Sequence, residues 1–119
     1  MTMNAAVVAD AEPGTVAALF RALGEPARLT IVRHLFTGEH RVRDLTDHLG
    51  LAQSTVSAHL SCLRECGLVV VRAEGRSSLY RLADPAGLRG LLAAAEDALA
   101  TTGAAVARCP SVPEPRAAS

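Results

Sequence analysis

The 119-residue sequence contains neither lysine nor tryptophan, and its aromatic residues are only Phe20, Phe36 and Tyr80. So few rings argue against a stacking platform for single-stranded nucleic acid. The formal net charge is zero, which excludes a protein that grips nucleic acid by bulk charge but permits a local basic patch. All twelve basic residues are arginine, whose planar guanidinium suits phosphate and guanine.

Targeting and disulfide signals are equally scarce. No apolar run approaches the roughly 20 residues that span a bilayer, so we expect no membrane partner. Residues 1–10 lack the positive charge that opens a secretory signal. Three cysteines are an odd, low count, which argues against a disulfide scaffold and for a reducing compartment. The sequence therefore predicts a cytoplasmic protein.

The length fits one compact domain flanked by two loose ends. Residues 1–12 are rich in alanine without periodicity and are predicted to form a flexible leader. Residues 103–119 contain Gly103 and three prolines, a composition typical of a flexible tail. The folded domain is therefore expected to span residues 13–102.

Apolar spacing and chain-breaking residues predict the order of elements within this domain. Four helices are expected over residues 15–23, 26–38, 42–49 and 53–65. Two strands over residues 69–72 and 77–82 follow, joined by a tip at residues 73–76. Asp84 and Pro85 then predict the start of a last helix that ends at Gly103. The fold class is mainly α with a β-hairpin: a winged helix-turn-helix of about five helices plus a two-stranded wing.

The third and fourth predicted helices carry the candidate DNA-reading surface. Their short connection, residues 50–52, matches a helix-turn-helix whose second helix enters a major groove. Val56, Leu60 and Leu63 form the apolar stripe of that second helix, and small polar residues with a glutamine occupy the other face. The predicted DNA contacts are Gln53, Ser54, Thr55, Ser57 and Ala58. An ordinary solvated helix face is the alternative.

The predicted hairpin adds positive charge to this surface. Arg72, Arg76 and Arg81 flank Gly75, which suits a wing that contacts phosphate or the minor groove, with Arg76 as the predicted contact. Residues 41–81 hold six arginines against four acids, a local charge of +2. A two-fold dimer would double that charge.

The last predicted helix presents a broad apolar face. Its members are Leu88, Leu91, Leu92, Ala95 and Leu99. Because a chain this small cannot easily bury such a face within one protomer, we expect a homodimer, which also suits palindromic operators. Packing against the first helix is the alternative.

Cys62 and Cys66 lie four residues apart on the predicted reading helix, away from its apolar stripe. Helical spacing of ~5–6 Å between Cβ atoms disfavours a disulfide, whereas two thiolates can share one metal ion. Cys109 is the remaining thiol, and three thiolates select soft ions such as Cd(II), Pb(II) or Hg(II). Zn(II) would need a fourth ligand, for which His59 is a candidate. The alternative is two small apolar residues on the helix flank.

The remaining histidines, His34, His40 and His48, show no recognisable ligand spacing. We expect His34 to pack on the second helix and the other two to be exposed. No oxyanion-type or phosphate-cradling glycine loop accompanies any cysteine–histidine pair, so the sequence predicts a protein that is not an enzyme.

Residues 44–84 resemble the ArsR/SmtB family of metal-responsive repressors, most clearly over residues 54–69, then at residues 74–76 and at Tyr80. Leu60-Ser61-Cys62-Leu63-Arg64, followed by Cys66-Gly67, is most similar to the family's cadmium- and lead-sensing members. The resemblance implies a homodimeric repressor that leaves its operator when Cys62, Cys66 and Cys109 bind Cd(II) or Pb(II). Zn(II) is a less favoured effector.

Other metal sites of that family are not matched by this sequence. Arg41 and Arg43 stand where the resemblance would place a thiolate pair, and Ala86 and Ala100 stand at ligand positions of the last helix. The thiolate triad therefore remains as the implied site. A repressor that senses oxidants through the same thiols, without a metal, is the alternative function.

Overall fold

The computed structural model describes residues 11–109, and the chain divides into two compact units at the boundary between Ala83 and Asp84. The predictions for residues 1–10 and 110–119 lie outside the described residues. The first unit contains α1 (Pro13–Leu23), α2 (Pro26–Leu35), α3 (Val42–Leu49), α4 (Gln53–Glu65), β1 (Val69–Glu74) and β2 (Ser77–Leu82). The second contains α5 (Pro85–Ala107). Within the described range the predicted five helices and hairpin are confirmed.

Three of the helices begin with proline, whose missing N–H would be unpaired in a first turn in any case. The Glu25 carboxylate caps α2 by accepting from the Arg28 backbone N–H at 2.9 Å. Asp84 caps α5 in the same way, accepting from Gly87 at 3.0 Å. Pro13 moves the start of α1 two residues ahead of the expected position, and α2 ends at Leu35, before the predicted stop at Gly38.

The core of the first unit lies between α2, α3 and α4. Ile31 and Val32 of α2, and Leu45 of α3, are completely buried. The three predicted stripe residues of α4 are completely buried as well: Val56, Leu60 and Leu63. This burial fixes the rotation of α4, so that its opposite face points away from the core.

The wing is a two-stranded antiparallel sheet in which Val69 pairs with Leu82 and Glu74 with Ser77. Only Gly75 and Arg76 connect the strands, and Gly75 has φ of +61°, which a glycine adopts without strain. β1 is therefore two residues longer, and the turn tighter, than predicted. His40 joins the wing to the segment before α3, exchanging backbone hydrogen bonds with Tyr80 at 3.0 and 2.8 Å.

The predicted end of the last helix at Gly103 is wrong, because α5 continues to Ala107. One glycine inside a helix costs only ~1 kcal/mol relative to alanine, and three of the next four residues are alanine. Most of α5 is uncovered: Leu88 is buried, whereas Leu99 and Val106 are exposed. No helix within residues 11–109 combines the length and apolar character needed to cross a membrane.

Candidate nucleic-acid interface and thiol pair

The α3–α4 connection has the geometry of a helix-turn-helix. Gly50 ends α3 in the left-handed conformation, with φ of +69°, and its N–H donates to the Thr46 carbonyl at 3.0 Å. Leu51 and Ala52 complete the turn, and α4 begins at Gln53. A side chain larger than glycine would strain this turn, since L-residues rarely adopt positive φ.

The predicted reading residues lie on the outer side of α4, in its first two turns. Gln53, Ser54 and Ala58 are exposed, and Thr55 and Ser57 are half-buried. Within the described part of the chain, none of their side chains hydrogen-bonds to another protein group. Their polar atoms are therefore open to an external partner, in a helix whose other side is held by the core.

The three wing arginines are not equivalent. Arg72 makes a bidentate pair with Glu39, at 2.9 Å from each guanidinium nitrogen to its carboxylate oxygen, and lies 3.7 Å from Glu74. These hydrogen bonds hold the pKa of Glu39 below its ordinary value. Arg76 is exposed at the tip, and Arg81 reaches the Leu82 carbonyl at 3.5 Å. The charge of Arg72 is thus neutralised within the protein, and that of Arg76 is available.

A second basic surface, a groove that the sequence did not predict, lies beside the wing. Two arginines at the start of α3 face the second wing strand across a groove of about 450 Å³. Its lining is Arg41, Val42, Arg43, Ser77, Ser78 and Tyr80. Guanidinium and hydroxyl donors in one groove suit a phosphate oxygen. The two sides of the groove are more than 30 positions apart in the sequence, so no local motif predicts it.

The structure brings Cys62 and Cys66 together at the C-terminal end of α4. Cys62 is half-buried and Cys66 is exposed, so neither belongs to the core. Burial raises the pKa of the Cys66 thiol, and the neighbouring Cys62 raises it further by its charge and by a side-chain hydrogen bond. The pair therefore provides two adjacent soft donors that a metal ion could bridge in their thiolate form.

The other candidate ligands are Cys109 and His59. Cys109 is exposed and follows α5, in the second unit. His59 Nε2 lies 3.5 Å from the Glu25 carboxylate, with its side chain 18% exposed. Glu25 also caps α2, so His59 serves to link α4 to the start of α2. This contact favours a structural role for His59 over the role of a fourth metal ligand.

Three histidines that showed no ligand spacing in the sequence are adjacent in the structure. His34, His40 and His48 each offer a ring nitrogen, and these three atoms lie within 4.8 Å of one another. Sequence spacing does not reveal this cluster, because the fold around α2 and α3 brings together residues that the sequence separates. His48 is exposed as expected, whereas the expectation that His40 is exposed is wrong, because His40 is half-buried with its ring beside that of His34.

Sequence comparison matches residues 25–71, from the α2 cap into β1, to the family model of the bacterial regulatory protein arsR family. The probable mercury resistance operon repressor of Streptomyces lividans is 38% identical over 84 residues, 71% of this chain and 67% of that protein. The chain belongs to the ArsR family. The ArsR-type winged helix-turn-helix expected from the sequence is thereby confirmed.

Two mycobacterial proteins extend this ArsR assignment. The regulator CmtR of Mycobacterium tuberculosis is 52% identical over 69 residues, so the chain spans 58% of that protein's length. The NMR structure of CmtR, described as a cadmium metal-sensor, matches with a TM-score of 0.53 over 58% of this chain and 71% of that one. A homodimeric winged helix-turn-helix DNA-binding domain from Mycobacterium bovis matches with a TM-score of 0.64 at 36% identity, over 71% and 80% of the two chains. ArsR proteins are DNA-binding transcriptional regulators, so the chain is a regulator and not an enzyme.

Two of the three wing arginines of this ArsR regulator offer a matched pair of substitutions. Arg76→Ala should weaken binding to operator DNA about tenfold and lower the salt slope by about one unit per protomer, because a phosphate-facing cation is lost. Arg72→Ala should change the affinity less than about threefold, since Glu39 already neutralises that charge. Fluorescence anisotropy at several salt concentrations measures both effects, and equal losses would contradict the assignment of the two roles.

Proposed function

We propose that this regulator is a metal-sensing repressor that binds operator DNA as a homodimer and is released by Cd(II) or Pb(II). The proposed ligands are Cys62, Cys66 and Cys109, and the proposed DNA contacts are Gln53, Ser54, Thr55, Ser57, Ala58 and Arg76. The observation that carries the proposal is the Cys62–Cys66 thiol pair at the end of the helix that presents the reading face. CmtR, a relative described as a cadmium sensor, supports the same class of effector.

The donor set of the pair fits a soft ion. Thiolate sulfur prefers polarisable ions such as Cd(II), Pb(II) and Hg(II) over hard ions, and a third thiolate completes a three-coordinate site. Cys109 is the remaining thiol of the chain, which makes it the proposed third ligand. Zn(II) is less favoured because it usually takes four ligands and His59 is paired with Glu25.

The length of α4 suggests how metal and DNA exclude each other. Its 13 residues extend about 20 Å, with the reading residues in the first turns, Cys62 in the last turn and Cys66 at the C-cap. A constraint applied at Cys62 and Cys66 therefore acts on the same rigid element that positions Ser54 and Ser57. If the metal-bound geometry fits DNA poorly, DNA must weaken metal binding by the same factor, and ~1–3 kcal/mol of coupling corresponds to a 5- to 150-fold response.

Dimerisation is proposed from the uncovered apolar surface. Leu99 and Val106 of α5 are 47% and 43% exposed, and Phe20 of α1 is 55% exposed. Exposed apolar side chains of this size are typical of contact surfaces when they form patches. The related M. bovis domain is homodimeric. A two-fold dimer presents two α4 helices to a palindromic operator, in the cytoplasm where such DNA resides.

Release from DNA by metal is the direct test. The DNA is a labelled duplex from upstream of the gene that encodes this protein. Cd(II) should lower the affinity of the parent protein for this duplex 5- to 150-fold, and a thiolate-to-metal ultraviolet band should appear in parallel. Cys66→Ser should remove both the response and most of the band, because a hydroxyl is a poor ligand for a soft ion. A circular dichroism melt checks that the variant folds. Parent-like release by Cd(II) in Cys66→Ser would overturn the proposed site, and Pb(II), Hg(II) and Zn(II) are ranked in the same assay.

The metal-free redox function makes a different prediction in this assay. It requires release by peroxide, reversed by reductant, with Cd(II) having no effect. Burial raises the pKa of Cys66, which reduces the fraction of thiolate that can attack peroxide, and helical i, i+4 spacing disfavours a disulfide with Cys62. These two observations favour metal sensing.

A further inference from the structure

Three histidines come from separate parts of the first unit, which contains the helix-turn-helix: His34, His40 and His48. His34 lies in the last turn of α2, His40 lies in the segment before α3, and His48 lies in the last turn of α3. Their ring centroids are 4.6, 4.9 and 5.7 Å apart, and one nitrogen of each ring lies within 4.8 Å of the other two. Three imidazoles converge here without any cysteine.

The hydrogen bonds of the cluster indicate which nitrogens are available. His40 Nδ1 lies 2.8 Å from the Gly38 carbonyl, and because a carbonyl only accepts, Nδ1 carries the proton and Nε2 keeps its lone pair. In metal sites, histidine ligands are typically oriented by such a hydrogen bond from the ring nitrogen that does not bind the metal. His34 Nε2 and His48 Nδ1 are 2.9 Å apart and share one proton, so either of the two can be the acceptor.

We propose that His34, His40 and His48 form a nitrogen-donor site for a borderline divalent ion such as Zn²⁺, distinct from the thiol pair. Three imidazoles with an open fourth position are a common ligand set for Zn²⁺. At bond lengths of ~2.0–2.1 Å, tetrahedral geometry places the ligand nitrogens about 3.3 Å apart. The His34–His48 separation of 2.9 Å needs to open by a few tenths of an ångström as a metal ion takes the place of the shared proton, which moves to the other ring nitrogen of its histidine. The exposed His48 side chain can make that adjustment.

Two carboxylates near the cluster in sequence are held by arginines. Arg72 holds Glu39, the residue next to His40, and Arg41 lies 3.4 Å from Asp44. The Glu39 and Asp44 carboxylates thus make their hydrogen bonds with arginines, and nearby His40 also helps to lower the pKa of Asp44. Burial lowers the pKa of His34, and the proximity of His40 and His48 lowers it further, so its lone pair is available near pH 7. Neutral imidazole is the form that binds metal.

A bound ion would tie together the parts that orient the reading helix. His40 is the residue whose backbone pairs with Tyr80 of the wing, and His48 lies two residues before the Gly50 turn. Linking these residues to α2 would stabilise the helix-turn-helix against opening. Ion concentrations well above the Kd should raise the melting temperature of the full chain by about 5 °C or more.

Imidazole NMR on the full-length protein tests the site directly. The thiols are first occupied with one equivalent of Cd²⁺, and Zn²⁺ is then added while the ¹H–¹⁵N signals of all four histidines are followed. We expect the signals of His34, His40 and His48 to shift with a stoichiometry of one Zn²⁺ per chain. His59, which is paired with Glu25, is the internal control and should not move.

His48→Gln is the matched variant, since this side chain is exposed and its loss leaves the core intact. It should abolish the Zn²⁺-induced shifts and the rise in melting temperature, while the cadmium–thiolate absorption band remains. His40→Gln is the second variant should His48→Gln fold poorly. Zn²⁺ that leaves the three signals unmoved, or that binds His48→Gln as it binds the parent, overturns the proposal. A missing cadmium band with intact Zn²⁺ shifts would count against the thiolate site and for this one.

Discussion

Ser54→Glu is expected to lower the affinity for operator DNA by at least about 100-fold. Ser54 is exposed in the first turn of α4, on the side that faces away from the core. A carboxylate there would meet the phosphates and the acceptor-rich groove edge, and it would remove a small side chain that allows close approach. The helix itself should not suffer, because a negative charge near a helix N-terminus is favourable.

The matched control for this substitution is Thr30→Glu, which adds the same charge at an exposed position of α2. Its DNA affinity should stay within about threefold of the parent, as expected for a change in net charge alone. Anisotropy titration at fixed salt, with a thermal melt of each variant, measures both. Equal losses for the two variants would show that charge, and not position on α4, determines the effect, and would refute the assigned reading face.

Local signals accounted for most of the fold. The starts of α3 and α4, and the ends of both, follow from Gly50, Gly67 and the apolar stripe, and the structure places them as predicted. Gly50, Gly67 and Gly75 all have positive φ, so each marks a place where a helix or strand has to turn. The predicted end of α5 at Gly103 was wrong because the chain does not turn there. Gly103 meets no demand for positive φ, and the alanines after it favour helix.

Contacts between residues far apart in the sequence could not be predicted from local sequence signals. The Glu39–Arg72 pair joins residues 33 positions apart and changes which wing arginine is available. The histidine cluster spans positions 34 to 48 on three elements, so helical spacing within one element cannot reveal it. The Cys62–Cys66 pair could be predicted from the sequence because the two cysteines are spaced i, i+4 along one helix. A site built on one element is visible in sequence, and a site built by packing is not.

The affinity for Cd(II) should rise steeply with pH, by about 1000-fold per pH unit for three ligating thiols. Each thiol that binds the ion must release one proton, which contributes about tenfold per pH unit at any pH below its own pKa. Burial raises the pKa of Cys66 above the ordinary thiol value of about 8.5, so this thiol is protonated throughout the neutral range. The proton released by Cys66 should therefore keep the affinity rising by at least about tenfold per pH unit from pH 6.0 to 7.5.

The thiolate-to-cadmium band, measured against a competing chelator of known pH dependence, gives the slope. Cys109→Ser provides the matched comparison, because removal of one ligating thiol should reduce the dependence to about 100-fold per pH unit. Identical slopes in parent and variant would remove Cys109 from the site. A pH dependence that vanishes below pH 7 would mean that Cys66 is already a thiolate there, which contradicts its raised pKa. Cd(II) binding that strengthens as the pH rises would link the proposed sensing step to the release of protons from the ligating thiols.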